Sequence, residues 1–458
     1  MAMMVMCIFI KREVSRMKFV IKFSCVWVVS NLVFCPSLLG NSSIPGEAAS
    51  GPIAIVGGTL YPVTSPPIEH GTLLIRDGKI AAIGKDVEIP IEASRVDVSG
   101  MSVYPGLFNS DGRLGLVEIN SVRASRDFSE VGRINPNVRV EVAVNPDSEL
   151  LPVTRSGGVL LSLTVPEGGL VSGTSAILQM DGWTWEDLTL KAPVGLHINW
   201  PRMRGVTKEN SGKSEESPDE KSIRELRSFF ENARAYHANR SGKLSIGLNL
   251  DLRFEALKPI LKREIPIIVA AESAAQIQSA ISFAVEQSVR IIIYGGYDAE
   301  ACASLLKRHD IPVIIGGTHR LPRRRSEPYD APFTLPNRLR LAGVSYCITA
   351  NDSFGAPNTR NLPYQAGHAV AFGLPHNEGL KAITIYPARI LGVSDRVGSL
   401  EIGKDATVIV TTGDPLETTT QVTRAFIQGK SIDLSDRHKS LWKKYRERLR
   451  RLGLLDGE

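Results

Sequence analysis

The sequence predicts an α/β fold, a parallel sheet covered by helices on both faces and flanked by β structure from both chain ends. Three observations carry this. Apolar strands recur between amphipathic helical stretches from Val103 to about Val397. Short strands and tight turns fill Gly51 to Met101, and the same β character returns after Val397. One strand, Val103-Tyr104-Pro105-Gly106-Leu107-Phe108, breaks into the polar loop Asn109-Ser110-Asp111-Gly112-Arg113. A strand end that turns polar is where a parallel α/β barrel places its chemistry.

The N-terminal β unit comes first. Ile53–Val56 ends at Gly57-Gly58. Gly71–Ile75 turns at Arg76-Asp77-Gly78-Lys79 into Ile80–Gly84, and Asp-Gly between apolar alternations signals a hairpin. The central rhythm follows. Val159–Val165, Val194–Asn199, Ile265–Ala271, Arg290–Tyr294, Ile311–Ile315 and Ser345–Thr349 read as buried strands. Ser273–Gln287 and Asp298–Arg308 are the clearest helices between them. Near-continuous apolar strands alternating with helices indicate a parallel sheet. Thr207–Lys221, rich in Lys, Glu, Ser and Asp, reads as a solvated insertion. The tail from Leu434 is basic, with Leu441, Trp442, Tyr445 and Leu449 at helical spacing. Docking of that apolar stripe onto the protein's own body is expected ahead of membrane-surface binding.

At 458 residues the chain can bury one large domain and a smaller one. The first 49 residues carry +3 of the net +6, so the rest gives no case for a nucleic-acid partner. Basic residues up to Lys22, the apolar run Phe23–Leu39 and the small-residue exit Gly46–Ser50 read as a secretory signal, with Met17 an alternative start. Export is the expected localisation, and an uncleaved membrane anchor is the alternative. Only Cys302 and Cys347 lie beyond that region, each in apolar company, so buried free thiols are expected.

Ala382–Val393, Val397–Val408 and Gly413-Asp414-Pro415-Leu416, taken with the hairpin and the Tyr104-Pro105-Gly106-Leu107 strand, resemble the signatures of the amidohydrolase superfamily. The resemblance spans roughly residues 53–432 and is nearest the imidazolonepropionase-like branch. It implies a distorted TIM (β/α)8 barrel over 104–396, with a composite β-sandwich from 51–103 and 397–433. Residues 1–50 are then the targeting segment, and 434–458 the C-terminal helix. It also implies a hydrolase of C–N bonds in cyclic amides or peptide-like molecules. In such a site a divalent ion lowers the pKa of bound water and polarises a carbonyl.

Mapped position by position, the family's His-x-His after strand one falls on Asn109 and Asp111. The strand-five histidine falls on Ala270, with Glu272 two residues on, and the strand-six histidine on Tyr294. The strand-eight aspartate, the family's base, falls on Asp352. The resemblance therefore implies a degenerate metal site. Asp111, Glu272 and Asp352 remain as oxygen donors for Zn²⁺, Mn²⁺ or Mg²⁺. Arg113, two residues past Asp111, disfavours a cation, while Arg113, Tyr294 and His319 are candidate binding residues for a small molecule. Arg320, Arg323, Arg324 and Arg325 cluster near the same rim. The alternative reading is a non-catalytic barrel that binds a small molecule or serves as a scaffold. No nucleotide-binding glycine spacing or Gly-x-Ser-x-Gly elbow is present.

Overall fold

The computed structural model describes residues 43–203, 217–241, 249–350 and 355–455. Residues 1–42 of the expected 1–50 targeting segment and residues 207–216 of the expected insertion lie outside them. Residues 218–221 are helical and not loop. Ser217 and Glu220 cap each other at the start of helix Pro218–Ser241. This reciprocal bond satisfies donors that a helix N-terminus leaves bare.

Eight strands from both chain ends form one sheet. They are β1 (Ile53–Leu60), β2 (Ile68–Arg76), β3 (Lys79–Gly84), β4 (Ser94–Asp97), β5 (Ser102–Pro105), β16 (Val408–Thr411), β17 (Val422–Ile427) and β18 (Lys430–Ser431). The β2–β3 turn is tight because Asp77 and Gly78 both take positive φ, 52° and 74°, as a two-residue hairpin requires. The join between the ends is β5 against β16, with Tyr104 opposite Ile409. Ile55 and Leu73 share one apolar cluster with Val103, Val408 and Phe426, so the sheet curls around its own core.

The remaining strands build the distorted barrel. They are β6 (Leu107–Gly112), β7 (Val159–Thr164), β8 (Val171–Thr174), β9 (Ala176–Gln179), β10 (Thr189–Lys191), β11 (Leu196–Asn199), β12 (Ile267–Ala271), β13 (Ile291–Gly295), β14 (Val313–Ile315) and β15 (Tyr346–Ile348). They hydrogen-bond as two arcs, β10-β9-β7-β6 and β15-β14-β13-β12-β11-β8. The pairs β6–β7 and β11 through β15 are parallel. At the third barrel position stand β8 and β9, antiparallel to β11 and β7 respectively. That antiparallel excursion is the distortion. Ser175 N–H donates to Gly195 O across one seam. Cys347 Sγ lies 3.3 Å from Ser110 Oγ across the other.

Alternation along the strands sorts the side chains. Phe108, Leu161, Leu163, Ile268, Ile292, Ile314 and Cys347 meet inside the barrel. Leu107, Leu160, Ile267, Ile291, Val313 and Tyr346 face outward. The outer layer includes helices Ala274–Glu286, Ala331–Ala342 and Leu362–Ala371. The first starts at Ser273, whose side chain and that of Gln276 form a capping box. Cys302 and Cys347 are free and buried, and burial pushes the Cys347 thiol up to about 12.

The C-terminal segment differs from expectation. Helix Arg437–Arg451 forms, but none of its residues is buried. Leu441, Trp442, Tyr445 and Leu449 are exposed instead of docked on the body. Among the described residues no helix is long and apolar enough to cross a membrane.

Candidate functional site

A cavity of about 270 Å³ opens at the C-terminal ends of the barrel strands. Its polar lining includes Asp111 near the end of β6, Glu167 after β7, His197 on β11 and Tyr294 on β13. Ala270, at the strand-five position, contributes only a methyl group to the wall. The sequence expectation brought Asp111 and Tyr294 to this rim, and both line the cavity.

Asn109 is a staple between the first and last barrel strands. Its Oδ1 accepts from Ala350 N–H at 2.9 Å and lies 2.7 Å from the Thr349 hydroxyl. Its Nδ2 donates to the Asp111 main-chain oxygen at 2.7 Å. The residue is fully buried. Asn109→Ala strands Ala350 N–H, at about 1–3 kcal/mol for a buried group left unsatisfied, while the Thr349 hydroxyl keeps the Asp111 main-chain oxygen at 2.8 Å. Urea denaturation checks this, and an unchanged midpoint would show the staple to be dispensable.

Glu272 stands in an ion-pair cluster. Arg320 approaches it with both terminal nitrogens at 3.2 Å, and Arg323 is 3.5 Å away. Tyr297 N–H donates to the same carboxylate at 3.1 Å. Gly295 makes room for it: φ is +91°, and a Cβ there would meet the Glu272 carboxyl carbon at 2.9 Å. Arg324 pairs with Asp298 and Glu327. Arg320, Arg323 and Arg324 of this rim thus answer acidic neighbours.

Arg113 pairs with Glu167 and lies 5.0 Å over the Phe128 ring. Burial raises the Glu167 pKa, and the guanidinium only partly reverses that. His319 is exposed and lies outside the cavity wall, its Nε2 3.2 Å from Tyr364 O and its ring against His368. His368 stacks on Phe333, a packing role. Asp352 falls outside the described residues.

His197 is the site residue that sequence reasoning missed. It sits inside an apolar strand, next to Leu196 and Ile198. The missed signal was parity: on a buried strand those two neighbours face the helices, so the residue between them points into the barrel. Burial holds its pKa down to about 3. Its Nε2 is buried without a hydrogen-bond partner among the described residues.

The donor set can be weighed against a divalent ion. Asn109 spends its amide on the staple and Glu272 its carboxylate on arginines, while Asp111, Glu167 and His197 line the cavity, with Glu167 paired to Arg113. Among the described residues no three histidine, cysteine or acidic side chains gather around one point. Catalytic zinc sites use three protein ligands, and Asp352, the expected base, lies outside the described residues.

Barrel, composite sheet and a polar cavity at the strand C-termini define a TIM-barrel scaffold with its candidate site at the barrel mouth. The comparisons narrow this class. Residues 298–432 match the Amidohydrolase family model. The chain is similar to Amidohydrolase tasK of Hapsidospora irregularis, 21% identical over 437 residues, covering 86% of this chain and 43% of that one. It is 29% identical over 114 residues to Imidazolonepropionase of Brucella anthropi, covering 25% of this chain and 27% of that one. An amidohydrolase structure from Thermotoga maritima matches at TM-score 0.72 and 25% identity, covering 83% of this chain and 99% of that one. The likeness to amidohydrolases thus rests on the C-terminal part of the chain and on the shared fold, and the chain spans less than half the length of the curated relatives it matches.

Proposed function

We propose that this chain binds a small amide- or lactam-bearing molecule in the barrel-mouth cavity, without the histidine-ligated metal chemistry of the family. The observation that carries this is the unpartnered His197 Nε2 in the cavity that Asp111 also lines. A buried ring nitrogen without a partner costs about 1–3 kcal/mol, which a ligand's hydrogen bond recovers. An amide offers one acceptor and one donor, matching an imidazole and a carboxylate. At about 270 Å³ the cavity suits a compact metabolite.

Hydrolysis of a C–N bond is the second reading, favoured by the likeness to amidohydrolases. A general base works best with a pKa near the working pH, and His197 at about 3 is poorly matched. The base under that reading is Asp352. Export through residues 1–50 belongs to the proposal too, supported by the basic-then-apolar order of that segment.

His197→Leu separates binding from folding. It removes the unpartnered nitrogen, so we expect stability to rise by about 1 kcal/mol while ligand affinity falls at least about tenfold. Calorimetry of small amides and lactams on wild type and His197→Leu reads the second effect, and thermal unfolding the first. Binding that survives in His197→Leu would refute the assignment. Release of amine or carboxylate by wild type, lost in Asp352→Asn, would instead establish the hydrolase reading.

A further inference from the structure

We propose that helix Arg437–Arg451 is a docking element for an anionic lipid surface. Three observations converge on it. The first is charge. The helix holds Arg437, Lys439, Lys443, Lys444, Arg446, Arg448, Arg450 and Arg451 against Glu447 alone. That net +7 exceeds the +6 of the whole chain, so the remainder is slightly acidic. The basic charge is concentrated on one projecting element.

The second is the apolar arc. Leu441, Trp442, Tyr445, Leu449 and Leu452 fall within about 100° of the helix circumference at 100° per residue. All are exposed, Trp442 at 58% and Leu452 at 60%. Leu441, Trp442, Tyr445, Leu449 and the trailing Leu455 line one shallow groove. Lys and Arg occupy the opposite side and both margins. The Arg446 guanidinium lies 5.2 Å over the Trp442 ring and Lys444 lies 5.9 Å from the Tyr445 ring. A Trp and a Tyr beside basic residues suit the boundary between headgroups and acyl chains.

The third is attachment at one end. Asp436 caps the first turn, Lys439 Nζ donates to Leu434 O at 2.9 Å, and Arg360 Nη1 lies 3.1 Å from His438 Nε2. Past that turn none of the residues is buried. Other occupants fit less well. A second copy of the helix would bring another +7 against the first. A nucleic-acid backbone satisfies the charge but leaves the five-residue apolar arc in water. An anionic bilayer answers both faces, since basic residues near such a surface and buried apolar area both contribute to binding.

The test is vesicle flotation of the full chain with neutral phosphatidylcholine vesicles and with vesicles containing about 30 mol% phosphatidylglycerol. Two variants accompany it, Leu441→Ser/Trp442→Ser/Leu449→Ser and Lys443→Glu/Arg446→Glu/Arg448→Glu. All six positions are unburied, so the fold is kept, and unfolding curves check that. Residues 1–42 are common to every protein, so any pull they exert on lipid cancels. We expect at least about tenfold more wild-type protein on anionic than on neutral vesicles, weakened at about 0.5 M salt and lost in both variants. Equal recovery of wild type and either variant overturns the proposal. So does equal binding to neutral vesicles, or no vesicle binding at all. Duplex DNA binding that the serine variant retains, without vesicle binding, would assign the helix to nucleic acid. Self-association lost in the serine variant, again without vesicle binding, would assign the apolar arc to a second copy.

Discussion

Arg155→Ala is expected to lower the unfolding free energy by about 3–5 kcal/mol, the range for stripping one partner from a buried ion pair. Arg155 Nη1 lies 2.7 Å from Asp181 Oδ1, and the two side chains are only 5% and 3% exposed. The same guanidinium donates to Met180 O at 3.0 Å, and Asp181 Oδ2 accepts from Gly46 N–H at 2.8 Å. Burial drives each group toward neutrality, lowering the Arg155 pKa and raising that of Asp181. Removing the arginine therefore leaves a buried carboxylate with one main-chain donor. Urea denaturation of Arg155→Ala, Asp181→Ala and Arg155→Met/Asp181→Leu is the measurement. The apolar pair should stay within about 1 kcal/mol of wild type, because it leaves no buried charge behind. A cost below about 1 kcal/mol for Arg155→Ala would mean that water replaces the lost partner.

Acid should destabilise the wild type more than His197→Leu. The folded pKa of His197 is held at about 3 by burial, below the ordinary histidine value of 6.5. Between those values the unfolded chain binds a proton that the folded chain does not, so stability falls as pH falls. Each pH unit inside that window is worth at most about 1.4 kcal/mol. From pH 7 to pH 4 the loss from this residue therefore approaches about 3 kcal/mol. The penalty is absent above about pH 7 and complete below about pH 3. Carboxylates held low by partners, such as Asp298 and Glu378, lose their contribution in the same direction. The difference between wild type and His197→Leu isolates the histidine. Parallel stability–pH curves would place the imidazole in water.

The parts of this structure that local chemistry dictates were legible before any coordinates. Asp77-Gly78 announces a hairpin because few other pairs accept two positive φ values. Ser273 announces a helix start because its side chain replaces a missing backbone acceptor. The apolar strands from Ile265 to Thr349 announce a parallel sheet because nothing polar interrupts them. The β8–β9 excursion was hidden, since Val171–Gln179 mixes small and polar residues around Gly173 and carries no strand-length apolar run. In the site, Asp111 and Tyr294 were visible as strand-end substitutions, whereas His197 was not. Its role depends on which way a strand faces, and strand parity is set by partners far away in sequence. The Glu272–Arg320 pair spans 48 positions, and the Asn109 staple reaches to Ala350, 241 positions on. Spacing cannot announce such meetings. Helical spacing gave the tail helix correctly but not what its apolar side would face.

The join between β5 and β16 also sets an order of assembly. Thr411 Oγ1 reaches Ser102 O across 309 positions of chain. At about 5–20 residues per second, the ribosome delivers the second partner roughly 15–60 s after the first. For that interval the outer edge of β5 has no neighbour, and the apolar side chains of β1–β5 lack Leu400, Val408, Val410 and Phe426 from their cluster. A bare strand edge recruits whatever strand is nearest. The nascent N-terminal unit must therefore be shielded or kept unpaired until Val408–Thr411 emerges, and the barrel is bracketed shut only then.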